Sequence, residues 1–180
     1  MGEPVVPYAS AVPVRIAVPL VAAAAAALLL AAASGARPER SACTSGVVKF
    51  GGVTARVFCG PAKATLRVGG KTISFAGGSC ERTSRYVALN VGTVVLGQTT
   101  KRKPDYFGLT VGAYPSASAK PAGHDGAYTG GVVAAEKGGK PYLVRGDTAR
   151  ITLAGGRTRG TFKSTLLFGG GAVSGTFSCR

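Results

Sequence analysis

Two alternating runs on either side of Gly69-Gly70 constrain the fold more than any other feature of the chain. In the run from 62 to 68, "AKATLRV", small or apolar residues alternate with basic or polar ones. After the glycines, "KTISF" places Ile73 and Phe75 on one face of a strand. Two glycines between alternating runs indicate a tight β-hairpin, because glycine readily adopts the positive φ that such turns require.

The same pattern continues to the end of the chain and predicts the fold class. Alternating runs at 87–91, 151–153 and 173–179 are separated by glycine-rich turns, and glycine contributes 28 residues. Beyond the N-terminal region, no stretch repeats apolar residues at helical spacing. We therefore expect an all-β domain: an antiparallel β-sandwich or partly open barrel of roughly nine to eleven short strands.

The N-terminal region is typical of an export signal. An uncharged, alanine-rich stretch at 16–34 follows Arg15, and the small residues "SGA" lie at 34–36. This layout predicts a helical signal peptide over 1–36, and the alternative is an uncleaved N-terminal membrane anchor. A linker over 37–45 and an all-β domain over 46–180 would follow. Either outcome places the domain outside the cytoplasm, secreted or at the cell surface.

The cysteines support an extracytoplasmic location. The chain has four cysteines, and all of them follow the predicted signal. They are Cys43, Cys59, Cys80 and Cys179. An even number behind an export signal favours disulfides, and the spacing contains no C-x-x-C motif for metal or redox chemistry. Cys59 shares an alternating face with Val57, and Cys179 shares one with Phe177, but all three connectivities remain open, including a Cys59–Cys80 staple across the hairpin.

Catalytic chemistry has little support in the sequence. The single histidine, His124, precedes Asp125 in a glycine-flanked loop, where aspartate favours a turn. Asp105 and Asp147 could form a carboxylate pair for sugar hydrolysis, but the chain has seven acids in total and no tryptophan to stack on a sugar. We predict a protein that is not an enzyme and that needs no metal or cofactor, with a small hydrolase as a weak alternative.

The formal net charge of +15 favours anionic partners. Candidates are cell-wall polymers and lipid surfaces, because no nucleic-acid module or set of stacking aromatics is present. The basic cluster Lys101, Arg102 and Lys103 is the candidate contact, although a solvated, charged loop is the simpler interpretation. Contact with a membrane is expected only through an uncleaved N-terminal segment, and no oligomeric state is predicted.

Several short segments resemble a known family when they are taken in order. They are "ARVFC", "AKATLRVGG", "SRYVALNVGTVVLG", "GAYTGG" and "VSGTFSC". Over most of 46–179 the chain resembles the mycobacterial surface lipoprotein antigens, exported β-rich proteins of actinobacterial cell envelopes. The resemblance implies surface display, contact with the envelope or host, and lipid or glycolipid handling, and it transfers no catalytic residue.

The resemblance also implies a disulfide pairing and exposes one departure. The family pairs the positions matching Cys59 and Cys179, which leaves Cys43 with Cys80. Members carry a lipid on a cysteine directly after the signal, but Arg40 stands where that motif has an apolar residue, so lipidation of Cys43 is not expected.

We therefore predict a non-catalytic binding or structural role at the cell envelope. The alternative is a lipid or glycolipid carrier, whose interior would open into an apolar cavity. Its expected lining residues are Leu66, Ile73, Phe75, Leu89 and Val91.

Overall fold

Thirteen β-strands form the regular structure of the described residues in the computed structural model. The description covers residues 43–50, 52–97, 103–114 and 120–180, so the predicted signal peptide and most of the predicted linker lie outside it. The strands are β1 (Gly46–Phe50), β2 (Val53–Phe58), β3 (Lys63–Val68), β4 (Lys71–Ala76), β5 (Gly78–Arg82), β6 (Tyr86–Leu96), β7 (Tyr106–Gly112), β8 (Gly126–Thr129), β9 (Val132–Lys137), β10 (Lys140–Leu143), β11 (Arg150–Ala154), β12 (Arg159–Thr165) and β13 (Ala172–Ser178).

The strands form two antiparallel sheets packed face to face, which confirms the predicted all-β class and the sandwich alternative. The first sheet has the order β1-β2-β6-β7-β9-β10, and β5 also pairs with β6. The second has the order β4-β3-β13-β12-β11-β8. The strand count exceeds the predicted nine to eleven because short strands such as β1, β5, β8 and β10 have little or no alternation in sequence.

The eleven-residue strand β6 has two neighbours along one edge. Its first half pairs with β5 and its second half with β2. The change of partner falls at Gly92, whose φ is 86° and where a Cβ would collide with the Asp105 carbonyl oxygen. Glycine is therefore required here by both the backbone angle and the close approach of the β6–β7 loop.

The core lies between the sheets and is filled. Phe107 of the first sheet is fully buried, and its ring centroid lies 5.5 Å from that of Phe75 and 5.9 Å from that of Phe162, both in the second sheet. Leu66 and Leu89 are also fully buried in the same cluster. Each such side chain contributes roughly 1.5–3 kcal/mol of hydrophobic stabilisation.

The tripeptide Gly-Thr-Phe occurs once on β12 and once on β13, which are neighbouring strands at the centre of the second sheet. The two copies, 160–162 and 175–177, pair antiparallel, so that Gly160 lies opposite Phe177 and Gly175 opposite Phe162. A Cβ on either glycine would collide with the ring of its partner phenylalanine. Each ring therefore covers the bare backbone of the neighbouring strand.

The predicted cysteine pairing is wrong. All four cysteines form disulfides, but the bonds are Cys43–Cys59 and Cys80–Cys179, not Cys59–Cys179 and Cys43–Cys80. The β1–β2 hairpin returns the chain so that Cys43 lies beside Cys59, with their Cα atoms 5.7 Å apart. The sequence pattern did not identify β1, and without that strand this neighbour of Cys59 could not be foreseen.

The second disulfide joins the two sheets. Cys80 lies on β5 opposite Leu89, a fully buried residue, and is therefore on the inner side of the first sheet. Cys179 follows β13 of the second sheet, and the two Cα atoms are 5.5 Å apart. Because β5 is a separate strand that begins after Gly77, with a φ of 83°, the alternation of the β3–β4 hairpin does not extend to Cys80.

Candidate functional site

The outer surface of the second sheet is cationic and rich in hydroxyl groups. Its residues alternate with buried ones on all six strands, so the sequence period of two assigns them to the solvent side. Five are basic: Lys63, Arg67, Arg150, Arg159 and Lys163. Ten carry hydroxyls, the rest are alanines, and none is acidic. The hydroxyl-bearing residues are Thr65, Thr72, Ser74, Thr129, Thr152, Thr161, Thr165, Ser174, Thr176 and Ser178. We call this surface the basic face.

Strand register arranges the hydroxyls of the basic face in a line across the sheet. Consecutive cross-strand pairs place one residue from each of β4, β3, β13, β12 and β11 side by side. This hydroxyl row consists of Ser74, Thr65, Thr176, Thr161 and Thr152. The Oγ1 atoms of Thr65 and Thr176 are 2.9 Å apart and share a hydrogen bond. With neighbouring strands about 4.8 Å apart, the row spans about 19 Å.

The cations lie in two rows on either side of the hydroxyl row. The Arg67 row contains Arg67, Lys163 and Arg150, and the Lys63 row contains Lys63 and Arg159. Each row is two residues from the hydroxyls, so the two rows are about 13 Å apart. The basic face is therefore a flat array in which hydrogen-bond donors separate two lines of positive charge.

The Arg67 row contains two like charges in direct opposition. Arg150 pairs with Lys163 across β11 and β12, an arrangement that is destabilising without a counter-ion. The ion pairs of the described residues lie elsewhere and use other cations: Lys103 with Glu136, Lys137 with Asp105 and Arg145 with Asp147. The cations of the basic face thus form no direct ion pair among the described residues, although Arg159 lies close enough to Asp125 to contribute to the lowering of the pKa of that carboxyl.

The outer surface of the first sheet is different in chemistry. It contains the acids Glu81 and Glu136 together with aromatic rings. The hydroxyl of Tyr106 donates a 2.7 Å hydrogen bond to Oδ1 of Asn90, and burial raises the pKa of Tyr106. The hydroxyl of Tyr86 donates a hydrogen bond to Oε1 of Glu81, and this bond raises the pKa of Tyr86 to about 12. Positive charge without acids therefore distinguishes the basic face from the opposite side of the sandwich.

Of the predicted cationic contact Lys101, Arg102 and Lys103, the structure describes Lys103, which is not part of the basic face. Lys101 and Arg102 lie outside the described residues. The Nζ atom of Lys103 lies 3.8 Å from Oε2 of Glu136, on the outer side of the first sheet. The described member of the cluster is thus associated with a carboxylate, as expected for a solvated charged loop.

His124 and Asp125 do not bond to each other. The carboxylate of Asp125 accepts hydrogen bonds from the backbone amides of Gly156 and Arg157, at 2.9 and 2.6 Å. These bonds lower the pKa of Asp125. The His124 ring instead lies 6.0 Å from the ring of Tyr128. Asp125 thus stabilises the β11–β12 turn through its hydrogen bonds, which supports a structural role for this residue over a catalytic one.

The carboxylates considered for hydrolysis are bound to different cations. Asp105 accepts hydrogen bonds from Nζ of Lys137 at 2.6 Å and from the amide of Gly138 at 2.8 Å. Asp147 is bound by the guanidinium of Arg145, which lowers the pKa of Asp147. Within the described ranges, no cluster of three potential metal ligands occurs.

The alternation of 62–68 is evident in the sequence, whereas the basic face is not. Its signal is a set of alternating runs whose polar positions are basic or hydroxylic: "KATLRV" in β3, "RITLA" in β11 and "RGTFKST" in β12. The alternation gives the outward residues of each strand, but the face exists only because these strands share one sheet. That arrangement depends on β13, which lies between β3 and β12.

Comparison with known proteins gives no family for the chain. No family model matches it, and no curated protein or solved structure matches it significantly. The resemblance to surface lipoprotein antigens therefore stays a prediction. Within the described part of the chain, no helix has the length and apolar character needed to cross a membrane.

Proposed function

We propose that this chain is a secreted or cell-surface β domain without catalytic activity, which binds an anionic polymer of the cell envelope through the basic face. Two disulfides suit an oxidising compartment outside the cytoplasm. The observation that favours anion binding most is the opposition of Arg150 and Lys163 on a surface without acids. An anion placed between them relieves their repulsion and gains two charge-assisted hydrogen bonds.

The geometry suits an extended polymer with repeated sulfate, phosphate or carboxylate groups. Two lines of cations about 13 Å apart can contact charges along a chain rather than a single ion. The hydroxyl row between them can donate hydrogen bonds to oxygen atoms of the same polymer. Arginine adds bidentate recognition of sulfate and phosphate at both rows, through Arg67, Arg150 and Arg159.

The predicted alternatives have less support. Three of the five residues expected to line a lipid cavity, Leu66, Leu89 and Val91, are fully buried within one packed cluster. Of the other two, Ile73 is partly buried and Phe75 borders an open pocket of about 280 Å³. The close packing around the first three favours a surface binding module over a carrier with an internal cavity. Nucleic acid is disfavoured because no outward residue of the second sheet is aromatic, and stacking on aromatic rings is a main source of affinity for single strands.

The proposal is tested by titration with dextran sulfate, using uncharged dextran as the matched control. We expect heat of binding for dextran sulfate and none for dextran, with affinity that falls as salt is added. The double variant Arg150→Thr/Lys163→Thr should bind about tenfold more weakly. Lys49→Thr/Lys140→Thr loses the same charge at exposed positions on the two edge strands of the first sheet, β1 and β10, and should bind almost as the parent does. Equal losses in both variants would mean that net charge, not this surface, determines binding.

A further inference from the structure

The turn between β12 and β13 exposes large apolar side chains. Leu167 is 52% exposed and Phe168 is 73% exposed, and neighbouring Leu143 at the end of β10 is 41% exposed. The amide of Leu167 donates a 2.8 Å hydrogen bond to the carbonyl of Leu143, so these two residues are neighbours, and Phe168 directly follows Leu167. We call Leu143, Leu167 and Phe168 the apolar tip.

The apolar tip is held in place by the fold. The amide of Leu166 donates to the carbonyl of Gly171 at 2.8 Å, which closes the turn. Gly169 and Gly170 have φ values of 81° and 63°, which suit a tight reversal. Leu166 itself packs against the core and forms a bridge with Val144. The exposure of Leu167 and Phe168 is therefore a property of an ordered turn that projects them from the sandwich.

Two cations of the basic face, Lys163 and Arg150, lie on the strands that lead to the apolar tip. Lys163 precedes Thr165 by two residues on β12, and Arg150 lies opposite Lys163. The amide of Arg145 donates to the carbonyl of Thr165 at 2.9 Å, so its side chain starts from the same end of the sheet. Asp147, the acid near this end, is bound to Arg145. The tip thus projects beyond a group of basic side chains.

We propose that the apolar tip inserts into the surface of an anionic lipid bilayer. Leu167 and Phe168 would enter the boundary between headgroups and acyl chains, while Lys163 and Arg150 contact lipid phosphates. This combination of exposed apolar side chains and adjacent cations is the one that binds peripheral proteins to acidic membranes. The inference goes beyond polymer binding, which uses the basic face and does not require the tip.

The size and shape of the tip favour lipid over a protein partner. A stable protein interface buries about 800 Å² on each partner, usually over a broad surface. The tip is instead one narrow turn with two strongly exposed side chains, which can enter a fluid interface without a complementary pocket. Its cations also match the phosphate groups of an acidic membrane.

Vesicle sedimentation tests the inference. The parent should bind vesicles of phosphatidylcholine mixed with phosphatidylglycerol and should bind pure phosphatidylcholine weakly. Leu167→Ser/Phe168→Ser should weaken binding to the mixed vesicles by at least about tenfold, because it removes the inserted apolar surface. The matched control is Val47→Ser/Leu96→Ser, which changes residues that are 65% and 46% exposed on the first sheet and should bind as the parent does. Equal binding by the parent and the tip variant would overturn the inference.

A second measurement does not depend on loss of binding. The chain has no tryptophan, so Phe168→Trp introduces a single reporter at the tip. Its emission should shift to shorter wavelength on addition of the mixed vesicles, and an unchanged spectrum would contradict insertion. A tip-dependent dimer in sedimentation velocity, without vesicle binding, would assign the patch to a second copy and overturn the lipid proposal.

The two proposals can fail separately. The tip variant should bind dextran sulfate as the parent does, because it keeps all five cations of the basic face. If neither the parent nor the tip variant bound dextran sulfate while the parent still inserted into vesicles, the polymer proposal alone would be refuted.

Discussion

Arg150 and Lys163 lie directly opposite each other on β11 and β12, on a surface that has hydroxyls and further cations but no acid. In a protein selected for stability alone, an acid at one of these positions would give a favourable cross-strand pair. The repulsion between the two opposed cations therefore lowers the stability of the free domain, and a bound anion can remove this repulsion.

Removing one member of this pair should separate stability from binding. Lys163→Thr relieves the repulsion of Arg150, so the free energy of unfolding should stay the same or rise by up to about 0.5 kcal/mol at low salt. Affinity for dextran sulfate should fall in the same variant. Urea denaturation and titration calorimetry measure the two quantities, with Lys49→Thr as the control. A clear loss of stability in Lys163→Thr would show that the lysine has a structural role.

The paired Gly-Thr-Phe segments predict a steric requirement for glycine. Gly175→Ala places a methyl group against the backbone carbonyl oxygen of Thr65 on β3 and against the ring of Phe162, which is buried in the core. We expect a loss of about 1–3 kcal/mol in the free energy of unfolding. Ser174→Ala, one residue away on the opposite surface of the same strand, should change it by less than about 0.5 kcal/mol. Similar values for both variants would mean that the ring and the neighbouring strand β3 shift aside at little cost.

The two disulfides should differ in their contributions to stability. Cys80–Cys179 joins residues 99 positions apart, whereas Cys43–Cys59 joins residues 16 apart. Because a longer closed loop restricts the unfolded chain more, removal of the first should cost about 4–5 kcal/mol and of the second about 3 kcal/mol. Urea denaturation of Cys80→Ala/Cys179→Ala and Cys43→Ala/Cys59→Ala gives the comparison. The opposite order would contradict the role of Cys80–Cys179 as the bond between the sheets.

The hydrogen bonds of Asp125 predict that the difference in stability between the parent and Asp125→Asn depends on pH. The amides of Gly156 and Arg157 lower its pKa in the folded state, so the unfolded chain takes up this proton first as pH falls. Its stabilising effect is therefore complete above the ordinary aspartate pKa of 3.8 and is lost as pH falls through the lower folded value. Asp125→Asn should reduce the unfolding temperature near neutral pH, and the difference from the parent should shrink in acid. A gap that widens below pH 4 would contradict the assignment.

The sequence predicted local structure well where alternation and turn chemistry agree. The hairpin around Gly69-Gly70 forms as expected: β3 and β4 pair with Val68 opposite Lys71, and both glycines have positive φ. The outward side of β3 could also be read from its alternation. These features depend only on residues close together in the chain.

The features that failed or were missed depend on contacts between distant residues. The Thr65–Thr176 pair at the centre of the basic face joins residues 111 positions apart, and no local pattern indicates that β13 lies beside β3. The cysteine pairing failed for the same reason. Alternation gives a cysteine's side of its strand but not the neighbouring strand, so it leaves all three connectivities open, and the pairing of Cys59 with Cys179 that the resemblance implies is replaced in the structure by Cys80 with Cys179.

Mapping of bound dextran sulfate by amide chemical shifts in the ¹⁵N-labelled protein tests the account most directly. We predict that the largest shifts fall on β3, β11, β12 and β13, around Arg150, Lys163 and the hydroxyl row, and that dextran produces none. Shifts centred instead on the outer surface of the first sheet or around Lys103, or spread evenly over all exposed lysines and arginines, would contradict the assignment of the basic face as the binding site.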